Sequence, residues 1–117
     1  MPESRNQVRF STLARAKVQG LHEGEALLRD LSVTGCRLEF SAAVALGEGA
    51  RYRITVSPES AANVEPFELE VESRWCRAGY DSYEIGFSIV ASPKGKSFQR
   101  YVDYLAWRSS IIPTTAL

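Results

Sequence analysis

Two short stretches of the sequence carry side chains suited to binding an anionic ligand. The first, RNQVR, places Arg5 and Arg9 four residues apart near the start of the chain. In an extended segment, an even spacing puts both guanidinium groups on the same face. A guanidinium group donates in a planar fork that matches phosphate oxygens or the edge of a base. The pair therefore predicts an anion or base clamp, although such pairs are also common on plain solvated segments.

The second stretch, DLSVTG, begins at Asp30. Strand alternation predicts that Asp30 and Ser32 point to one side, while Leu31 and Val33 face the core. Gly35 is expected to supply the left-handed backbone conformation of a hairpin turn. The alternative is purely local, because Asp and Ser side chains also stabilise turns by bonding to nearby backbone amides.

Taken together, the two stretches suit a guanine nucleotide. A forked Arg binds the O6 and N7 acceptors of guanine, a contact worth about 1–3 kcal/mol of discrimination. The carboxylate of Asp30 suits the N1–H and N2–H donors on the other edge, and the hydroxyl of Ser32 suits a phosphate oxygen. This interpretation requires that the front of the chain and the DLSVTG turn meet in space.

The charge balance argues against a general nucleic-acid binder. The chain has 117 residues, which predicts one domain, and its 14 basic residues equal its 14 acidic ones. Arginine supplies 11 of the 14 basic residues, which suits phosphate recognition, although a GC-rich genome gives the same bias.

The cysteines and the apolar segments indicate the cellular compartment that we expect for this protein. Cys36 and Cys76 are too few for a disulfide framework and have no zinc-type spacing. Cys36 alternates in phase with Leu38 and Phe40 and is expected to be a buried apolar side chain. The first ten residues lack the apolar core of a signal peptide, and no apolar run reaches the ~18 residues of a membrane span. We therefore expect a cytoplasmic protein with reduced thiols.

The remaining pattern predicts a small β-protein. Apolar residues alternate with polar ones in six segments, which favours a six-stranded antiparallel β-barrel or sandwich. The predicted strands cover residues 13–20, 26–32, 36–40, 51–56, 67–76 and 83–89.

A helix is predicted near the end of the chain. Phe98, Tyr101, Val102 and Leu105 form one helical stripe. The chain then divides into a flexible arm at 1–9, a barrel with its helix at 10–109, and a tail at 110–117.

These features together resemble a bacterial PilZ domain. The resemblance rests on the R-x-x-x-R arm, the D-x-S-x-x-G turn some 20 residues later, the six-stranded barrel and the C-terminal helix. It covers roughly Ser4 to Ser109, and the EIGFSI segment is similar to a late strand of the family.

The resemblance implies binding of cyclic di-GMP, with no cofactor and no metal. Arg5 and Arg9 would take guanine edges and phosphates, Asp30 a Watson–Crick edge and Ser32 a phosphate, while Gly35 would shape the turn. In the family, the arm folds over the barrel when the ligand arrives. Many members carry an extra Arg where this chain has Ser4. Members bind one nucleotide or a stacked pair, and the missing arginine lowers the expectation of a pair, although the sequence leaves the number open.

Trp75 has two interpretations. Some relatives have an aromatic residue beside the bound base at the corresponding place, which would let Trp75 stack on a guanine. Its phase with Phe67, Leu69 and Val71 instead favours a place in the core.

The leading hypothesis is a cyclic di-GMP receptor that changes a surface for an unidentified protein effector, as a monomer or homodimer. The alternative is a PilZ-like interaction module of pilus or motility complexes that binds no nucleotide. Motility and biofilm polysaccharide export are outputs typical of the family. An enzyme is not expected, since the single histidine, His22, and two cysteines offer no acid–base or nucleophilic set.

Overall fold

A computed structural model describes residues 8–21, 24–44, 47, 49–91 and 95–111. Arg5, His22 and residues 112–117 of the predicted tail lie outside the described residues. Within them, seven strands precede one α-helix: β1 Phe10–Ser11, β2 Arg15–Val18, β3 Ala26–Leu31, β4 Gly35–Phe40, β5 Arg51–Ser57, β6 Phe67–Ala78, β7 Tyr83–Ala91 and α1 Ser97–Ile111.

Six of the described strands close into an antiparallel barrel. The order around the barrel is β3-β2-β5-β6-β7-β4, and the pairing of β4 with β3 closes it. The predicted six-stranded antiparallel barrel with a C-terminal helix is therefore confirmed. Closure leaves no long unpaired edge among these strands.

The strand β1 is an addition to the barrel that the sequence pattern did not predict. Its two residues pair with β3, Phe10 opposite Leu31 and Ser11 opposite Asp30. Alternation cannot reveal a strand of two residues, because the pattern needs at least four positions to show a period. This pairing places β1 directly beside Asp30 and Leu31, the first two residues of the DLSVTG stretch.

The barrel interior is filled by one face of each strand. Leu28, Leu38, Ile54, Leu69 and Ile85 are at most 1% exposed. Removing such apolar side chains from water stabilises the fold by about 1.5–3 kcal/mol each. The predicted burial of Cys36 is also confirmed.

The helix α1 packs its predicted stripe against the barrel. Phe98, Tyr101, Val102 and Leu105 are all buried, and the ring of Phe67 on β6 lies 5.7 Å from that of Phe98. The helix continues through Ile111, two residues past the boundary predicted at 109.

A polar cluster fastens α1 to the rest of the molecule. Glu59 accepts hydrogen bonds from the Tyr101 hydroxyl at 2.6 Å and from Arg108 Nη1 at 3.1 Å. Arg108 Nη2 also donates to the main-chain carbonyl of Ser11. Burial, together with the hydrogen bond to Glu59, raises the pKa of Tyr101. The last helix is thereby joined to β1 and, through it, to the segment that carries Arg9.

In the described part of the chain, no helix is both long and apolar enough to cross a membrane.

Candidate functional site

Arg9 of the first stretch meets Asp30 of the second in the structure. Arg9 Nη1 donates to Asp30 Oδ1 at 2.7 Å. The contact follows from the pairing of β1 with β3, which sets Ser11 opposite Asp30. The Arg9 side chain is 54% exposed and that of Asp30 is 17% exposed. Arg5, the other arginine of the pair, lies outside the described residues.

Ser32, predicted to point outward together with Asp30, is buried instead, so that prediction is wrong. Its Oγ accepts from the backbone amides of Thr34 at 3.2 Å and Gly35 at 3.1 Å. Val33, predicted to face the core, is 54% exposed. The alternation fails because β3 ends at Leu31, so the following residues obey turn geometry instead.

Gly35 is needed for a reason other than the one predicted. The described residues with positive φ do not include Gly35, so it does not adopt a left-handed conformation. A Cβ atom at this position would lie 2.8 Å from the carbonyl oxygen of Phe87 and 3.5 Å from Arg9 Nη2. The missing side chain therefore lets β4 approach β7 and leaves room for the Arg9 guanidinium.

Trp75 lies on the outer surface rather than in the core, so the favoured core interpretation is wrong. The register of β6 against β7 shifts between Ser73 and Trp75, which marks a bulge that reverses the alternation. Ser73 is still buried, whereas Trp75 is 44% exposed. A Cβ atom on Gly86, its partner across the strands, would lie 2.2 Å from the indole. Glycine at 86 thus allows the indole to rest against the backbone of β7.

Arg9, Gly35 and Trp75 line one open pocket of about 300 Å³. They come from three separate parts of the chain, and Arg74 and Ser88 complete much of the wall. The pocket thus combines two guanidinium groups, a close backbone approach and an exposed aromatic ring. Guanidinium groups bind anions, and an aromatic ring stacks on a nucleobase.

The sequence as a whole matches the family model of the PilZ domain over residues 3–107. The chain belongs to the PilZ family. PilZ domains are binding and adaptor modules for cyclic di-GMP rather than enzymes. No curated protein matches this chain.

The PilZ fold is also found in a solved structure, that of the Bacillus subtilis inhibitor of motility (MotI/DgrA). The two share 16% identity with a TM-score of 0.78 over 95% of this chain. The match covers 53% of that chain, so this PilZ domain spans about half of its length. At this identity the likeness concerns the fold.

Charged side chains extend from the candidate site across four strands of this PilZ domain. Arg37 donates to Asp30 Oδ2 at 2.9 Å and to Glu84 at 3.2 Å, and Arg77 donates to Glu84 at 2.6 Å. The Arg77 guanidinium in turn lies 5.5 Å from the centre of the Trp75 ring. A chain of alternating charges therefore connects Asp30 with Trp75.

The electrostatics of this candidate site follow from these contacts. Partial burial opposes the charge of Arg37, yet the carboxylates of Asp30 and Glu84 raise its pKa overall. The hydrogen bond from Arg77 lowers the pKa of Glu84 against an opposing effect of burial, and the charges of both arginines add to this. These contacts therefore favour the charged forms of both Arg37 and Glu84.

Sequence reasoning missed the roles of Arg37 and Glu84. The outward phase of Arg37 in the sequence allows either a phosphate contact or a plain surface charge and favours the second, and the sequence does not single out Glu84. One signal was available in the sequence. Arg37 and Glu84 carry opposite charges and both occupy outward positions, on the neighbouring strands β4 and β7.

Cys36 lines the same pocket of the PilZ domain, but its thiol is unreactive. Burial, reinforced by the negative charge of Asp30, raises the pKa of its thiol to about 12, although Arg9 opposes this. The thiol therefore stays protonated at neutral pH and serves packing. Among the described residues, no group of three acidic, histidine or cysteine side chains is placed to hold a metal ion.

Proposed function

We propose that this PilZ domain is a cytoplasmic cyclic di-GMP receptor that acts through a protein effector. The observation that carries the proposal is the convergence of Arg9, Gly35 and Trp75 on one pocket, with Asp30 held by Arg9 at its side. In the proposed complex, Arg5 and Arg9 bind guanine edges and phosphates. Trp75 stacks on a base, and the backbone at Gly35 approaches the ligand closely.

Binding requires an exchange of partners at Asp30. Its Oδ1 is bonded to Arg9 and its Oδ2 to Arg37. The Arg9 member of this pair is 54% exposed, and ion pairs open to solvent contribute only about 0–1 kcal/mol. A guanine can therefore replace Arg9 on Oδ1 at small cost, while Arg37 keeps the carboxylate in place through Oδ2. Arg9 is then free to bind the nucleotide.

The sequence-based role of Ser32 changes in this proposal. Its buried hydroxyl accepts from the amides of Thr34 and Gly35 and donates to the carbonyl of Gly35 at 3.4 Å, so in this proposal Ser32 shapes the turn rather than binding phosphate. The motif serine then supports the ligand indirectly, by fixing the backbone at Gly35.

The output travels through the arm. Nucleotide binding holds residues 1–9 against the barrel and changes the surface offered to a partner. Because Arg108 on α1 donates to the carbonyl of Ser11, we expect nucleotide binding at the arm to affect α1 through this hydrogen bond as well. Motility control and biofilm formation are the outputs we expect.

The test is calorimetric titration of the chain with cyclic di-GMP. We expect saturable binding by the wild type and a loss of at least tenfold in affinity for Arg9→Ala, as for one charged hydrogen bond. Arg53→Ala is the matched control, because Arg53 is 49% exposed and bonds Glu70 at 3.0 Å but does not line the pocket. A flat trace for the wild type would exclude the receptor function.

A second candidate is an interaction module that binds no nucleotide. One observation favours it, namely that the side chains of Ser32 and Asp30 have hydrogen-bond partners within the protein itself. Under this alternative, the two motifs serve only to join the arm to the barrel. The same calorimetric trace separates the two functions.

A further inference from the structure

One buried hydroxyl in the described residues has no hydrogen-bond partner. It is Ser88 Oγ on β7. Buried polar groups are almost always paired, because an unpaired one loses its bonds to water without replacement. An exception therefore calls for a physical explanation.

The position of Ser88 offers one. Ser88 lies opposite Gly35 in the pairing of β4 with β7, and it lines the pocket together with Arg9 and Arg74. The hydroxyl is thus the one unpaired buried group beside a pocket bordered by two guanidinium groups, within the described chain. Among the described residues, Arg74 has only a loose ion pair, with its Nη1 3.7 Å from Glu72 Oε2.

The chemistry of this wall suits an anion. Two guanidinium groups supply positive charge, and a serine hydroxyl can add a short hydrogen bond to a negatively charged oxygen. Rotation about the Cα–Cβ bond moves a serine hydroxyl between staggered positions. A ligand oxygen in the pocket can therefore draw Oγ out of its buried position and give it the partner it lacks.

We propose that Ser88 is a further ligand-binding residue, whose hydroxyl donates to a phosphodiester oxygen of the nucleotide held between Arg9 and Arg74. The inference rests on the proposed function and extends it to a residue outside both sequence motifs. It also gives the ligand a serine contact that Ser32, bonded within its own turn, does not supply.

An isosteric pair of variants tests the hydroxyl alone. Ser88→Thr keeps the hydroxyl, whereas Ser88→Val replaces it with a methyl group of similar size. We expect the Val variant to bind cyclic di-GMP about 10- to 100-fold more weakly than the Thr variant, as for one hydrogen bond to a charged group. We also expect no loss of thermal stability in Ser88→Ala, because the hydroxyl that it removes has no partner.

Ser73→Ala is the matched control. Ser73 is a buried serine on β6 whose Oγ donates to the carbonyl of Gly47 at 2.8 Å, and it does not line the pocket. Its replacement should lower the melting temperature and leave the affinity unchanged. Ser88→Ala should therefore weaken binding and keep the melting temperature, whereas Ser73→Ala should lower the melting temperature and keep the affinity. A general loss of packing would not produce these opposite results.

Each outcome decides the assignment. Equal affinities of the Thr and Val variants overturn the role of Ser88 while wild-type binding still supports the receptor function. If neither larger side chain folds, Ser88→Ala is used, and wild-type affinity in that variant overturns the role. The phosphorus resonance of bound cyclic di-GMP should differ between the variants, and an identical shift overturns the phosphodiester contact. Absence of binding by the wild type overturns the proposed function and this inference together.

Discussion

Arg9 and Asp30 form a 2.7 Å salt bridge across a separation of 21 residues. The other oxygen of the same carboxylate accepts a hydrogen bond from Arg37 at 2.9 Å. Asp30 therefore has one exposed partner, which a ligand can replace, and one less exposed partner, which can stay. This division between an exchangeable and a fixed contact is what a binding carboxylate needs.

Asp30→Ala should abolish most nucleotide binding while the fold survives. Arg37 keeps its bond to Glu84, so we expect the free energy of unfolding to fall by only about 1 kcal/mol, as for a partly exposed ion pair. The affinity for cyclic di-GMP should fall at least tenfold, measured by calorimetry. Glu70→Ala, which removes a carboxylate bonded to Arg53 on another face, serves as the control. Wild-type affinity in Asp30→Ala would contradict the proposed role.

Gly86→Ala should displace the Trp75 indole. A Cβ atom there would lie 2.2 Å from the ring, so either the indole or the strand must move. Overpacking of this kind costs about 1–3 kcal/mol, which urea denaturation measures. Tryptophan fluorescence, recorded in a Trp107→Phe background, should change as well.

The control for Gly86→Ala is the same substitution made in Trp75→Ala. Without the indole the added methyl group has space, so its cost should largely disappear. An equal cost in both backgrounds would show that the indole does not rest on Gly86.

The two cysteines should differ in reactivity. Cys36 is buried and the pKa of its thiol is raised to about 12, whereas Cys76 is exposed. Because only the thiolate reacts, iodoacetamide at about pH 8 should label Cys76 in the native protein and Cys36 only after unfolding. Mass spectrometry of the labelled peptides reports this, and equal labelling rates in the native state would contradict the buried position.

Glu84 should make the fold sensitive to acid. The hydrogen bond from Arg77 lowers its pKa in the folded state from the ordinary value of 4.5. Its contribution to stability is therefore present above about pH 4.5 and is lost as the pH falls through the lowered folded-state pKa. Urea denaturation across this range measures the loss.

Glu84→Gln is the matching variant. It should be about 1 kcal/mol less stable than the wild type at neutral pH, since Arg77 is largely exposed and its pair is screened by solvent. Its stability should then depend less on pH in the acid range. An unchanged acid profile would show that other carboxylates are responsible.

The barrel could be predicted from the sequence because each long strand alternates apolar residues that point inward with polar residues that point outward. In β4, Cys36, Leu38 and Phe40 alternate inward without interruption, and the structure has all three buried. The helix stripe from Phe98 to Leu105 followed just as directly from its period. Such regular patterns reflect burial, which local sequence records well.

The details of the site could not be predicted in the same way, because they depend on breaks in this alternation. The bulge before Trp75 reverses which face the indole occupies, and the end of β3 at Leu31 turns Ser32 inward. The need for glycine at 35 and 86 arises from Phe87 and Trp75 across the sheet. Contacts between distant strands leave no periodic trace in the chain.

The hydrogen bond from Arg108 to Ser11 has an evolutionary consequence. The acceptor is a main-chain carbonyl, which every residue type provides, so the joint places no demand on the side chain at position 11. Position 108 has no such freedom, because its guanidinium also bonds Glu59. Related chains that keep this mechanical link between their first strand and last helix should vary at the former position and retain arginine at the latter.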